Sequence, residues 1–534
     1  MKTSDLLVKA LESEKIQFVF GVPGEENLEF LNSLKNSQVR FIPTRHEQAA
    51  GFMAATIGRL TGIPGVALST LGPGATNLVT AVAYATLGGM PTLFLTGQKP
   101  IKNSKQGQFQ IISTVDMMRP LSKYSHQIVS ASLAGINLHH ALKTAKEERP
   151  GATHLELPED IASEEISEFN YPLTPPPRRP IAEPKAIKHA VSLLEQAKHP
   201  LLIIGSGANR KRASKMLNLL LDKTHIPFCT TQMGKGVISE SRPEYLGTTA
   251  LSTGDYVHDE IKKADVILNI GHDTIEKPPF ILTNTNSQKI IHLNFFSPTS
   301  DSVYIPDLEV IGDIANAIWQ ITETITPQSS WDLASYAPVK SRIEKNLSRN
   351  TFSPFNLITT LRKLLAADDI VALDNGMYKL WFARHYEALL PNTLLLDNAL
   401  ATMGAGLPSA IAAKMINPDK KIICVVGDGG FAMSLGDLET ARRLNLDLTI
   451  IVLRDNRYGM IDWKQSQLNY PSFGLDFTNP DFSKLASAYD LIYFKIDNPA
   501  LIQSILQKAL NSSGVTLVEY PIDYSDNQFL GKKL

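Results

Sequence analysis

The chain has 534 residues, 43% hydrophobic and 20% charged, with a formal net charge of −1. Its length suggests about three domains of 100–200 residues, and its balance excludes both a basic nucleic-acid surface and an acidic disordered chain. Cys229 and Cys424 stand far apart in apolar segments, as buried thiols of a reducing compartment would, and no apolar run of about eighteen residues suggests a membrane span.

Taken in order, short apolar runs alternate with helical spacing. The first part predicts a helix at Asp5 to Glu14, a strand at Phe18-Val19-Phe20 and a helix at Glu26 to Leu34. Strands follow at Val39 to Ile42, Val66 to Ser69 and Thr92 to Leu95, with helices at Gln48 to Leu60 and Ala75 to Leu87. The charged amphipathic start is not a signal peptide, so a cytoplasmic protein is expected. This βα alternation predicts an α/β protein built on doubly wound parallel sheets.

The pattern breaks at Pro172, Pro175, Pro176, Pro177 and Pro180, a density that makes a stiff extended linker. A second unit has strands at Leu201 to Ile204, Val266 to Ile270 and Ile290 to Leu293. A polar stretch, Thr326 to Thr351, precedes a third unit with strands at Ile370 to Leu373, Ile422 to Val426, Leu448 to Leu453 and Thr516 to Val518. Domains are therefore expected over 1–168, 185–325 and 350–534. Ligands in such sheets bind beyond the carboxyl ends of the strands.

The third unit carries the most informative residues. Gly427-Asp428-Gly429-Gly430 sits between an apolar strand and helical spacing, a place where backbone amides attract phosphate. A second strand ends at Asp455, 27 residues after Asp428. Two carboxylates at two strand ends, beside a phosphate-shaped turn, suit a diphosphate held through a hard divalent ion such as Mg²⁺. A lone Gly-Asp-Gly would read as an ordinary turn; the paired acid narrows it.

Other motifs are ambiguous. Thr44-Arg45-His46-Glu47 reads equally as a capping box, with Thr44 as N-cap and Glu47 three residues into the helix, or as a catalytic carboxylate. Gly72-Pro73-Gly74-Ala75-Thr76-Asn77 is either a helix start or a close backbone approach to a ligand. Gly205-Ser206-Gly207-Ala208 lacks the dinucleotide fingerprint and reads as structural. There is no P-loop, no Gly-x-Ser-x-Gly elbow and no metal-ligand spacing of histidines; His139-His140 suits a solvated helix face. Met403 would ordinarily be core filler, and Arg442-Arg443 an exposed pair.

Taken together, these residues resemble the thiamine diphosphate enzymes of the pyruvate-oxidase and acetolactate-synthase group, over essentially the whole chain. The resemblance implies Mg²⁺ on Asp428, Asp455 and the main-chain carbonyl of Arg457. It implies Glu47 as the activating glutamate, and Gln110, next to Phe109, with the amide near Gly72, as groups that polarise the acceptor carbonyl. Pro23, Asn375, Gly376, Met403, Gly427, Gly429, Gly430 and Met460 would contact the cofactor, Met403 as the wedge that bends it. Trp381 and Arg384 match the block that contacts the diphosphate. Arg454-Asp455, where many members have Asn-Asn, matches the catabolic acetolactate synthases, as do Gly271 to Glu276, Pro306 to Asp313 and Asp523 to Asn527.

The activity so implied is condensation of two pyruvates to 2-acetolactate and CO₂, through a thiamine diphosphate ylid and an enamine. The active sites would lie between subunits of a homodimer or homotetramer. The close rival is a FAD-containing biosynthetic synthase with a regulatory subunit. Two features weigh against FAD: Lys464 takes the place of that group's tryptophan, with Trp463 one position earlier, and its arginine-rich central segment is absent. Another 2-oxoacid decarboxylase, oxidase or lyase remains open, as does a non-catalytic homologue, against which Glu47, Asp428 and Asp455 argue together.

Overall fold

The computed structural model describes residues 1–102, 107–167, 171–276, 288–299, 303–345, 347 and 351–531. Three six-stranded parallel sheets organise them, each flanked by helices. The first contains β1 (Phe18–Gly21), β2 (Arg40–Pro43), β3 (Gly65–Ser69), β4 (Thr92–Gln98), β5 (Tyr124–Gln127) and β6 (Ala152–Pro158), in the order β2-β1-β3-β4-β6-β5. The second contains β7 (Pro200–Ile204), β8 (Phe228–Thr230), β9 (Tyr245–Thr248), β10 (Val266–Ile270), β11 (Lys289–Asn294) and β12 (Leu308–Ile311), ordered β12-β11-β10-β7-β8-β9. The third contains β13 (Ile370–Leu373), β14 (Leu394–Leu395), β15 (Ile422–Gly427), β16 (Leu448–Arg454), β17 (Ile492–Lys495) and β18 (Val515–Pro521), ordered β14-β13-β15-β16-β18-β17.

These strands are continuous apolar runs because both faces of a parallel sheet are covered by helices. β15 is the clearest case: Ile422 to Val426 are all buried. Periodicity finds the strands of Leu, Ile and Val. It passes over β5 and β6, where Ser125, Thr153, His154 and Glu156 interrupt the apolar pattern although β6 is buried throughout. The proline stretch from Pro172 to Pro180 carries no helix or strand, as a stiff linker should.

The chain forms two compact units. One comprises Met1–Pro177, Thr402–Asp419 and Phe431–Leu448; the other comprises Arg178–Ala401, Lys420–Gly430 and Thr449–Leu534. Within the first, the helix Gly406–Ile416 packs on the helix Glu47–Thr61, and Thr56 Oγ1 lies 3.0 Å from Ser409 Oγ. Among the described residues no helix is long and apolar enough to cross a membrane.

Each sheet reverses its winding beside its first strand, and there the loops at the carboxyl ends part to leave a crevice. The reversal falls between β1 and β3 in the first sheet, β7 and β10 in the second, and β13 and β15 in the third. Glu47, the Gly205 turn and Asp428 belong to these three places.

Candidate active site

In the first unit, the loops after β1, β2 and β3 carry Pro23, Glu47 and Gly72. The capping-box reading of Glu47 is corrected by the geometry. His46 is the N-cap of the helix Glu47–Thr61, its Nδ1 accepting from the amide of Gln48, while the Thr44 hydroxyl donates to the His46 carbonyl at 3.0 Å. The buried Glu47 carboxylate is thus released from capping. Its Oε2 accepts from Asn77 Nδ2 at 2.9 Å, and a Cβ on Gly74 would come 3.2 Å from Oε1. The loop is fixed from behind by Asp437, whose Oδ1 accepts the Arg45 amide at 3.1 Å.

Gly72 and Gln110 also meet. Gly72 has φ +51°, and a Cβ there would lie 2.8 Å from the Gln110 carbonyl. Gln110 itself is left-handed, at φ +58°, and Phe109 beside it is 64% exposed. Met403 stands half-buried in the same unit, and its neighbour Gly404 faces Gln48: a Cβ there would sit 3.9 Å from Gln48 Nε2.

In the second unit, β15 ends at Gly427 and Asp428 opens the next helix. Asp428 is buried, and its Oδ2 accepts from the amides of Asp455 (3.2 Å) and Asn456 (2.8 Å) and from Asn479 Nδ2 (2.7 Å). Asp455 Oδ2 would be 2.7 Å from a Cβ on Gly459. Burial, then the neighbouring Asp428 charge, pushes the Asp455 carboxyl up to about 7. The Arg457 side chain is engaged by Asp476 (2.8 Å) and Asp462 (3.3 Å), and its carbonyl accepts the Gly459 amide at 3.0 Å, leaving one lone pair.

Across the crevice, β13 leads into Asp374-Asn375-Gly376. Tyr378, on the helix Met377–His385 that follows β13, accepts the Gly427 amide on its hydroxyl at 3.0 Å and ties that helix to the end of β15. A Cβ on Gly430 would overlap Asp374 Oδ2, so only glycine allows that approach. Lys379 reaches Asn375 Oδ1 at 2.6 Å. A cavity of about 900 Å³ opens beside the acids, lined by Asp455, Arg457, Asp462, Trp463, Lys464 and Tyr524 among others. Lys464 Nζ lies 4.7 Å over the Trp463 ring, and Met460 packs half-buried against the core.

Trp381 and Arg384 are turned inward. Trp381 Nε1 donates to Asn527 Oδ1 at 2.8 Å, and Arg384 pairs with buried Asp255 at 2.7 Å and donates to the Leu530 carbonyl, so both residues hold the C-terminal segment.

Three family descriptions match the chain: "Thiamine pyrophosphate enzyme, N-terminal TPP binding domain" over residues 1–117, the central domain over 187–321 and the C-terminal TPP binding domain over 374–520. "Acetolactate synthase" of Bacillus subtilis is 30% identical, covering 98% of this chain and 94% of that protein. "Acetolactate synthase, catabolic" of Raoultella terrigena is 29% identical over 99% and 96%. "Probable acetolactate synthase large subunit" of Methanococcus aeolicus is 31% identical over 98% and 92%. The chain belongs to the thiamine pyrophosphate-dependent acetolactate synthase family. It is thus an enzyme of the transferase class whose cofactor is thiamine diphosphate.

The residues fit that cofactor. Two acids of like charge, Asp428 buried and Asp455 half-buried and pushed up to about 7, suit a cation between them. Among the described residues no group of three or more His, Cys, Asp or Glu gathers, so further ligands would be carbonyl, amide and phosphate oxygens. Asn77, Asn479 and Tyr378 escaped sequence reasoning. Asn77 lies inside the glycine stretch already singled out, whereas Asn479 sits 51 residues from Asp428 with no local signal.

The central crevice differs. The Ser206 amide donates to Glu276 Oε1 at 2.8 Å, the Thr231 hydroxyl to Glu276 Oε2 at 2.5 Å, and the Gly207 amide to the Gly271 carbonyl at 2.8 Å. A Cβ on Gly205 would lie 2.5 Å from the His272 Cα. The turn is closed on its own chain.

Proposed function

We propose that the protein condenses two pyruvates, with uptake of one proton, to 2-acetolactate and CO₂, using thiamine diphosphate and Mg²⁺ and no FAD. The observation that carries the metal-cofactor reading is the acid pair Asp428 and Asp455 at the ends of the adjacent strands β15 and β16, with a phosphate-shaped glycine turn at the end of β15. The names of the relatives support acetolactate as product.

When bound, thiamine diphosphate supplies a nucleophilic carbon and an electron sink for decarboxylating a 2-oxoacid. The chain supplies the rest. Asp428, Asp455 and the Arg457 carbonyl would hold the metal, while Asn375, Gly376, Gly427, Gly429 and Gly430 would leave room for the diphosphate. Glu47, held by Asn77, would hold the proton that activates the cofactor, with Pro23, Met403 and Met460 shaping the space around it. Gln110 and the backbone at Gly72 polarise the acceptor carbonyl. Glu276 supports the FAD-free reading, because it takes the donors that a dinucleotide phosphate would need.

The three domains are taken as 1–168, 185–325 and 350–534. A homodimer or homotetramer is the working unit. Exposed aromatic residues support it: Phe109 beside Gln110, and Tyr470 and Phe473, 62% and 84% exposed, just beyond the helix Gly459–Gln467. Product analysis of pyruvate turnover tests the reading: acetolactate supports it, whereas free acetaldehyde or acetyl phosphate rejects it.

A further inference from the structure

Behind Glu47 lies a buried ion pair that the mechanism does not use. Lys99, just past the end of β4, is 3% exposed, and its Nζ lies 2.5 Å from Oε1 of Glu26, which is 6% exposed. The other Glu26 oxygen accepts the hydroxyl of Thr70. Glu25 lies 3.8 Å from the same ammonium but is largely in solvent. Burying two charges this deeply is costly unless the pairing is close and its remaining hydrogen bonds are met. Replacing such a pair with apolar groups is often neutral for stability, so its presence here needs a reason beyond stability.

Thr70 supplies one. A Cβ on Gly24 would lie 2.7 Å from the Thr70 Cβ, and a Cβ on Gly74 would lie 3.0 Å from the Thr70 Cγ2. Thr70 is therefore wedged between the turn after β1 and the turn after β3. Gly74 in turn abuts Glu47 Oε1, and Asn77, three residues on, holds Oε2 at 2.9 Å. Gly97 closes the other side, since a Cβ there would be 2.8 Å from the Glu26 Cβ.

We propose that Lys99, Glu26 and Thr70 form a positioning chain that sets the spacing of the two glycine turns and so aims the Glu47 carboxylate. This rests on Glu47 being the activating glutamate. None of the three touches reacting atoms; each acts through the wall against which Glu47 rests. A displacement of about 1 Å at such a group is enough to lower a rate about 10²-fold.

The test uses the full-length protein with Thr70→Val, Lys99→Met and the double variant Lys99→Met/Glu26→Gln. Lys99→Met should melt early, since it leaves a buried carboxylate unpaired, and the double variant should recover the melting midpoint. The double variant should still show kcat lowered about 10- to 100-fold with KM for pyruvate within about twofold. Thr70→Val, which keeps the wedge but loses the hydroxyl, should fall between it and wild type. Hydrogen exchange of the cofactor-free protein gives a readout independent of turnover: peptides spanning 44–50 and 70–78 should exchange faster in the double variant. Wild-type kcat in a fully folded double variant, or unchanged exchange in those peptides, overturns the chain. If Glu47→Gln leaves turnover intact, the underlying reading fails instead, so the two failures are distinguishable.

Discussion

The crevice between β13 and β15 and the crevice between β7 and β10 share one topology and have opposite chemistry. In the first, glycines clear the turn, and two acids crowd together with one of them pushed up to about 7. In the second, the turn amides are spent on Glu276 and Gly271, and the buried carboxylate has its own donors. A doubly wound sheet offers a ligand position at every winding reversal. The side chains decide whether that position stays available.

The largest effect should follow from breaking the acid site. Asp455→Ala and Glu47→Gln should each lower turnover by about 10³-fold or more while leaving the fold intact. Equilibrium dialysis should tell them apart: Asp455→Ala loses Mg²⁺-dependent cofactor retention and Glu47→Gln keeps it. Retention of cofactor by Asp455→Ala at wild-type Mg²⁺ would remove the basis for calling that crevice the metal site.

A smaller effect should come from the central turn. Glu276→Ala leaves the buried Thr231 hydroxyl and the Ser206 amide without their partner, costing about 3 kcal/mol at roughly 1–3 kcal/mol per lost bond. Denaturant midpoints measure that loss, and turnover at a temperature where the variant is folded should stay within about twofold. A variant as stable as wild type would mean that Glu276 does not close the turn.

The smallest effect concerns pH. Burial holds His292, within β11, down to about 4, with the Tyr304 hydroxyl 2.8 Å from Nδ1. Unfolded histidine takes a proton below about 6.5 and the folded one does not until about pH 4. Stability is therefore fully present above about pH 6.5 and declines by about 1.4 kcal/mol per unit as pH falls toward 4. His292→Gln should flatten that decline in urea titrations at pH 7.5 and 5.5; an identical slope would assign the acid sensitivity elsewhere. His154, on β6 and held down to about 3, should contribute in the same direction.

Much of this was legible because it was local. The interval from Asp428 to Asp455 runs from the end of β15 through one helical crossover to the end of β16, so its length encodes two adjacent strand ends. The apolar runs of β7, β10 and β15 announce themselves. What escaped was either polar or distant. β6 hides its burial behind Thr153, His154 and Glu156, whose partners lie on other strands. Thr44 and Glu47 fit a capping box by spacing, yet the backbone places the N-cap at His46, one residue before Glu47. Asn479 and Asn77 are set by tertiary contacts that no window of sequence contains, and Glu276 became meaningful only when its carboxylate was found on the Ser206 amide.

Incubating the purified protein with pyruvate, thiamine diphosphate and Mg²⁺, with and without added FAD, and identifying the products decides between acetolactate synthesis and the alternatives. One acetolactate and one CO₂ should form for every two pyruvates, with acetoin after acidification and the same rate without FAD. Strict dependence on FAD, or acetaldehyde or acetyl phosphate as the main product, would contradict FAD-free acetolactate synthesis.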